Sequence, residues 1–258
     1  MNGEFFVSPD VVLAIMAVIW LPFWLYWFKD SPKDSKHVNT QELAYIQEQT
    51  VIESQLSSES YPWNVLLFNK TLLVNNWAFF VFGYYLFFFM NWLPTYLKST
   101  YQLNLTQVGF YTMAPWLTAA VMMWGLGAFA DYIFKKNHSL RLSRSYPIWI
   151  TQLLSAACVI PVILFHNLYV ALLFISLAVG LIMSANASYF AVVIDTARER
   201  SGTALGIMDA IFAISGIIAP TLTGFVLTLT GHYEAAFVLL AVLGGSSALL
   251  IFLVHNRT

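Results

Sequence analysis

The chain has 258 residues, of which 59% are hydrophobic, 17% are aromatic and 10% are charged. Soluble domains average about 45–50% apolar and about 25% charged residues, so this composition excludes an ordinary water-soluble fold. The net charge of −1 gives no electrostatic basis for binding nucleic acid, and the single cysteine, Cys158, excludes an internal disulfide. The sequence therefore predicts an all-α, polytopic protein whose partner is the lipid bilayer.

Seven apolar stretches follow one another along the chain, and each has roughly the 20 residues that a helix needs to cross a bilayer. The predicted spans cover residues 10–28, 71–97, 107–130, 147–165, 168–193, 203–229 and 235–254. They divide the chain into three parts. We expect a first transmembrane helix within 1–28, a cytoplasmic central loop at 29–70 and a bundle of six helices at 71–258.

The basic residues predict the orientation of these spans. Of the 12 Lys and Arg residues, only Lys98 lies on the side opposite to all the others. Because cytoplasmic loops carry the excess of positive charge, the amino terminus is expected outside and the carboxyl terminus in the cytoplasm. Within the central loop, Asn39 and Glu42 have the spacing of a capping box, which predicts a short amphipathic helix.

Polar and ionisable side chains inside the spans are the candidates for a functional site, because charge is costly in hydrocarbon. Asp209 lies deep in the sixth span and is interpreted either as a proton or substrate site in an aqueous cavity or as a carboxyl bonded to a neighbouring helix. Asn186, Ser188 and Tyr189 in the fifth span, and Tyr85 in the second, either face a ligand or form hydrogen bonds between helices.

Two further charged residues lie at predicted cytoplasmic helix ends. Asp131 closes the third span after a run of small residues, and Arg198 follows the fifth span next to Asp195. We interpret Asp131 and Arg198 as parts of a conformational latch. The alternative for Asp131 is a solvated charge at the membrane boundary, and the alternative for Arg198 is a solvated cytoplasmic turn. The sequence contains no metal-ligand spacing, nucleophile motif or cofactor fingerprint, so no metal, cofactor or enzymatic activity is expected.

Four motifs in the sequence have a common resemblance. They are Asn-Trp-Leu-Pro-Thr-Tyr-Leu at 91–97, the glycine-rich run that ends at 131, Gly-Ile-Met-Asp at 206–209 with the following Gly216 and Pro220, and Glu-Leu-Ala-Tyr-Ile at 42–46. In their order along the chain, these motifs resemble the carboxy-terminal half of the major facilitator superfamily, in its anion:cation symporter branch. The resemblance covers nearly the whole chain.

The resemblance implies a fold and an activity. The first span is similar to the sixth helix of a twelve-helix carrier, and the other six spans are similar to its second bundle. Such carriers move small organic anions such as sugar acids, usually with protons, by alternating access between two halves. The positions that match the substrate cavity are Asn186, Ser188, Tyr189 and Asp209.

Two departures from the family pattern bear on the substrate. Asp209 stands where this branch usually has Asn, and Ala197 stands where it has Pro. An Asp repels a carboxylate unless it is protonated, so the predicted substrate is a sugar acid or another small carboxylate.

The resemblance also implies a first bundle, with the basic and acidic residues for anion and proton, that this sequence does not include. We therefore expect a truncated or split carrier that transports only together with an amino-terminal half, in a bacterial inner membrane. The alternative is a seven-helix scaffold or sensor, or the relic of a degraded transporter gene.

Overall fold

The structure is a computed structural model that describes residues 9–35, 37–47, 63–137 and 144–255. Among these residues, seven helices are long and apolar enough to cross a membrane. This confirms the predicted all-α, polytopic fold. The chain divides into two units, residues 1–60 and residues 61–258, and each is described by itself.

The first unit contains one apolar helix and a short polar segment. Helix α1, Pro9–Trp27, is apolar on all sides, and its described side chains are exposed within the unit. A short 3-10 helix, Pro32–Asp34, follows. Helix α2 covers residues 40–47, and the N–H of Glu42 donates to Asn39 Oδ1 at 2.8 Å. This is the contact that the capping pattern predicts.

The second unit is a bundle whose helices follow the apolar stretches of the sequence. The helices are α3 (Trp63–Phe68), α4 (Lys70–Tyr101), α5 (Leu105–Asn137), α6 (Tyr146–Leu164), α7 (Leu168–Ser184), α8 (Asn186–Ala197), α9 (Ser201–Thr230) and α10 (Tyr233–His255). Side chains cap three of them: Asn69 Oδ1 accepts the N–H of Thr71 before α4, Asn104 Oδ1 accepts the N–H of Gln107 before α5, and Asn167 Oδ1 accepts the N–H of Tyr169 before α7. Gly231, with φ of 74°, ends α9 in the left-handed conformation.

The fifth predicted span consists of two helices. Helix α7 ends at Ser184, Ala185 has φ of −84° and ψ of 0°, and α8 begins at Asn186. The N–H of Ser188 donates to the carbonyl oxygen of Ala185 at 2.9 Å, a bond that spans three residues and tightens the new first turn. The break therefore separates α8 from the rest of the span.

Helix α4 lies at the centre of the bundle. It packs against α9 and α10 and also contacts α5, α7 and α8, while α6 packs between α7 and α10. Its buried side chains include the large aromatic residues Tyr84, Tyr85, Phe88 and Phe89. The bundle core is thus built around α4, and side chains on α4 can bond to most of the other helices.

Candidate functional site

Asp209 lies on the face of α9 that points away from the core of the bundle. Its side chain is exposed, as are Gly206, Ala210 and Ala213 on the same face, whereas the adjacent Met208 is fully buried. Asp209 is the ninth residue of α9, which places it about 12 Å along the helix axis at ~1.5 Å per residue. A carboxyl group at this depth is costly in hydrocarbon. This face of α9 therefore suits water or another protein segment better than lipid.

Of the three candidates in the fifth span, only Asn186 reaches the surface of the bundle. It is the first residue of α8 and is half-buried, next to the break at Ala185. Ser188 and Tyr189 are buried, with 5% and 0% of their surfaces exposed. The structure thus places Asn186 at a half-buried position of α8 and Asp209 at an exposed position of α9, two helices that pack against each other.

Tyr189 is part of a buried polar cluster that joins three helices. Gln152 on α6 donates from Nε2 to the hydroxyl oxygen of Tyr189 at 2.8 Å and to the carbonyl oxygen of Ala78 on α4 at 2.9 Å. Asn75 on α4 donates from Nδ2 to the carbonyl oxygen of Tyr189 at 3.3 Å. Asn75, Gln152 and Tyr189 are all fully buried. Neither amide was a predicted site residue, although both carry the signal of a polar side chain inside an apolar span.

Tyr85 makes a separate contact between helices. Its hydroxyl group donates to the carbonyl oxygen of Leu240 on α10 at 2.7 Å, and its side chain is fully buried. The neighbouring Tyr84 pairs with Thr223 of α9 through hydroxyl oxygens 3.2 Å apart. In this packing Tyr85 therefore joins α4 to α10 through a hydrogen bond between helices, one of the two interpretations of the sequence. Its contact with a substrate stays a prediction.

The charged residues at the predicted cytoplasmic end include an ion pair that sequence reasoning missed. Arg144 Nε lies 3.5 Å from Asp195 Oδ2, which joins the start of α6 to the last turn of α8. Arg198 is exposed and adopts φ of 45° and ψ of −109°, a strained conformation for a residue with a side chain. The side chain of Asp131 lies outside what the structure describes, so the predicted role of Asp131 and Arg198 as a latch stays a prediction.

Within the described residues, no three His, Cys, Asp or Glu side chains are arranged to hold a metal ion. Inside the bundle, the structure brings together amide and hydroxyl groups, and at helix ends it pairs Arg144 with Asp195 and His166 with Glu234. Such groups bind and orient a polar solute or a proton through hydrogen bonds. With the seven apolar helices, they define a multi-pass membrane protein with polar residues inside its bundle, the class to which solute carriers belong.

The family model of the Major Facilitator Superfamily matches the chain over residues 9–148 and 138–258. The chain therefore belongs to the Major Facilitator Superfamily. Its similarity to named relatives is moderate. It is 30% identical to the hexuronate transporter of Bacillus subtilis over 237 residues, which are 89% of this chain and 53% of that protein.

Two further relatives extend the comparison. The chain is 28% identical to the probable sulfoacetate transporter of Cupriavidus necator over 239 residues, 93% of this chain and 55% of that protein. It is 26% identical to probable anion transporter 2, chloroplastic, of Oryza sativa over 241 residues, 89% of this chain and 43% of that protein. The chain spans about half the length of these curated relatives. All three are named as transporters, in agreement with the expectation that the chain is not an enzyme.

Proposed function

We propose that the chain forms the second half of a carrier that moves a small organic anion across a membrane together with a proton. The observation that carries the proposal is Asp209, a carboxyl group on an exposed, otherwise apolar face of α9. The names of the relatives support an anionic substrate: a hexuronate and a sulfoacetate are both small organic acids. The anion is proposed to bind near Asp209 and Asn186.

Asp209 gives the proposed coupling a physical basis. An ionised Asp209 repels a carboxylate or sulfonate, whereas a protonated Asp209 is neutral and can donate a hydrogen bond to it. The proton and the anion would therefore each strengthen the binding of the other. Such linkage is reciprocal and typically amounts to about 5- to 150-fold in affinity. Asn186 offers an amide that can donate to the same anion.

The remaining predicted residues are proposed to act through the helices. Ser188, Tyr189 and Tyr85 are buried among helices, so contact with the anion requires a change in helix packing. In the packing described above, their proposed role is to hold the helices that line the site. At the predicted cytoplasmic end, Asp131 and Arg198 remain the proposed latch. Asp195, which pairs with Arg144, lies one turn before Arg198 in the sequence.

The proposed carrier works by alternating access, which needs a second bundle of helices. We propose that an amino-terminal half, joined to this chain or encoded separately, supplies that bundle and packs on the exposed face of α9. The proposed membrane is the plasma membrane of a bacterium, with the amino terminus of this chain outside. The excess of Lys and Arg on one side supports this orientation.

The variant Asp209→Asn tests the role of the carboxyl group. It keeps the size and the hydrogen-bonding capacity of the side chain but cannot exchange a proton near neutral pH. In proteoliposomes that contain both halves, we expect uptake of labelled hexuronate or sulfoacetate to lose its dependence on an imposed pH gradient, while exchange of internal for external anion continues.

The matched control is Thr221→Ala, which alters an exposed polar residue farther along α9. It should leave the response to the pH gradient unchanged. If Asp209→Asn transports with the same response to the gradient as the unaltered protein, Asp209 is not the coupling residue.

A further inference from the structure

Tyr189 is held at both ends by side chains from two other helices. At its ring end, Gln152 of α6 donates to the hydroxyl oxygen at 2.8 Å, and at its backbone end, Asn75 of α4 donates to the carbonyl oxygen at 3.3 Å. Between these points, the ring packs against Phe79 and Phe82, with ring centroids 5.3 and 5.7 Å away. The position of Tyr189 is thus fixed by polar contacts as well as by packing.

Both amides have an orientation set by backbone carbonyl groups. The Nε2 atom of Gln152 also donates to the carbonyl oxygen of Ala78 at 2.9 Å, so its NH₂ group faces both α4 and α8. The carbonyl oxygens of the Asn75 and Gln152 side chains are buried and have no hydrogen-bond partner. Buried polar atoms without a partner are costly. An apolar side chain would therefore fill the same space with less loss of stability than either amide.

The helix that these contacts hold is α8, the shorter of the two helices in the broken span. Ala185 separates α8 from α7, so the continuous backbone hydrogen bonding of one long helix does not fix α8. Asn186, half-buried at the start of α8, lies one turn before Tyr189 on the same side of the helix. Any rotation or tilt of α8 that moves Tyr189 therefore moves Asn186 as well.

We propose that Gln152 and Asn75 are positioning residues that hold α8 against α4 and α6 through Tyr189 and so fix where Asn186 lies. Gln152 bridges α4 and α8 directly, because its two amide hydrogens are shared between the carbonyl group of Ala78 and the hydroxyl group of Tyr189. The positioning of α8 does not require that the chain transport an anion. Its consequence for anion binding at Asn186 rests on the proposed function.

The experiment follows the exposure of position 186 by its rate of reaction with a maleimide. The reporter is Asn186→Cys in a full chain from which the single cysteine has been removed by Cys158→Ala. In this background, Gln152→Met keeps the approximate side-chain volume and removes the bridge. We expect labelling at 186 to become about tenfold faster. Losing one such hydrogen bond raises the population of molecules in which α8 is displaced and position 186 is more exposed, by about this factor.

A second reporter shows whether the change is confined to α8. Thr221 is an exposed residue farther along α9, and Thr221→Cys is the second reporter. Its labelling rate is expected to change by less than about twofold when Gln152→Met is added, because the two sites share no contact. Equal labelling rates at 186 with and without Gln152→Met would overturn the proposal. So would an equal increase at 186 and 221, which would mean that the whole bundle has loosened.

The double variant Gln152→Met with Tyr189→Phe separates positioning from general stability. It removes both polar partners, so no buried hydroxyl group is left unpaired and thermal stability should recover relative to Gln152→Met alone. The bridge is still absent, so labelling at 186 is expected to stay fast. A labelling rate that instead recovers together with the melting temperature would show that Gln152 only stabilises the fold and would overturn the proposal.

Uptake measurements then report on the proposed function separately. With an amino-terminal half present, Gln152→Met is expected to raise the KM for the anion by about tenfold and to change kcat by less than about threefold, the pattern of weakened binding rather than a slowed step. A chain that shows the labelling changes but supports no uptake would contradict the proposed transport and leave the positioning role of Gln152 intact.

Discussion

Arg144 and Asp195 form an ion pair between the start of α6 and the last turn of α8. The two side chains lie 3.5 Å apart, with 24% and 33% of their surfaces exposed. Solvent screens an attraction of this kind, so its contribution to stability is about 0–1 kcal/mol. Its main effect is to restrain the last turn of α8 beside Arg198, whose positive φ marks a strained turn. The contact therefore bears more on the position of α8 than on the stability of the bundle.

A charge reversal at Asp195 tests this electrostatic contact. Asp195→Lys places two positive charges together and is expected to lower the melting temperature more than Asp195→Asn does, because the second variant only removes the attraction. Raising the salt concentration should shrink the difference between the two variants, since mobile ions screen exposed charges. Thermal unfolding of the purified chain at low and high salt measures both effects.

The control for this comparison is Lys98→Glu, a charge change at an exposed residue of α4 on the other predicted side of the membrane. It should change the free energy of unfolding by no more than about 0.5 kcal/mol, as exposed substitutions usually do. A salt-independent difference between Asp195→Lys and Asp195→Asn would mean that the contact with Arg144 is not electrostatic in solution.

The sequence indicates some site residues more strongly than others, because polar side chains differ in their cost in hydrocarbon. Asp209 stood out because a carboxyl group in a long apolar run is costly anywhere in hydrocarbon. Asn75 and Gln152 carry a weaker version of that signal, since amides are common in membrane helices. The pairing of Arg144 with Asp195 joins residues from different helices, and only the packing of α6 against α8 reveals it.

A glycine of α10 allows a close approach between α10 and α4. A Cβ atom on Gly244 would lie 2.6 Å from Tyr85 Oη and 3.0 Å from Ala156 Cβ. The same hydroxyl group donates to the carbonyl oxygen of Leu240, one turn earlier on α10. Gly244 thus lets α10 lie near enough for Tyr85 to reach its backbone.

Gly244→Ala is expected to destabilise the bundle by overpacking, at a cost of about 1–3 kcal/mol. The melting temperature should fall by about 2–4 °C for each kcal/mol in a chain of this size. The adjacent Gly245→Ala is the matched control, because no atom lies within 4 Å of its added Cβ. If the two alanine variants melt at the same temperature, the close approach of α4 and α10 at Gly244 is not present in the protein.

Helix existence could be predicted from the sequence, but helix ends and breaks could not. The apolar stretches identified all seven spans because a bilayer imposes a minimum length on each. Helix α4 nevertheless continues to Tyr101, and the fifth span breaks at Ala185. No Pro or Gly marks that break. It coincides instead with small and polar residues, and Ser184 Oγ donates to the carbonyl oxygen of Leu181 in its own helix. Serines that bond to the preceding turn in this way also occur in unbroken helices, so the sequence does not mark the break.

The chain belongs to the Major Facilitator Superfamily, has seven helices of membrane-spanning length among its described residues, and spans about half the length of its curated relatives. The exposed face of α9 combines the small residues Gly206, Ala210 and Ala213 with Asp209. Small residues allow a neighbouring helix to approach closely, and a carboxyl group there needs water or a polar partner. Both features suit the proposed packing of an amino-terminal half around a central cavity.

The most direct test of the proposed carrier is uptake of labelled hexuronate and sulfoacetate into proteoliposomes with an imposed pH gradient. The chain is reconstituted alone and together with the proposed amino-terminal half. We predict accumulation only when both halves are present, and its loss when a protonophore collapses the gradient. Accumulation by this chain alone, or none of either anion when both halves are correctly inserted, would contradict the account.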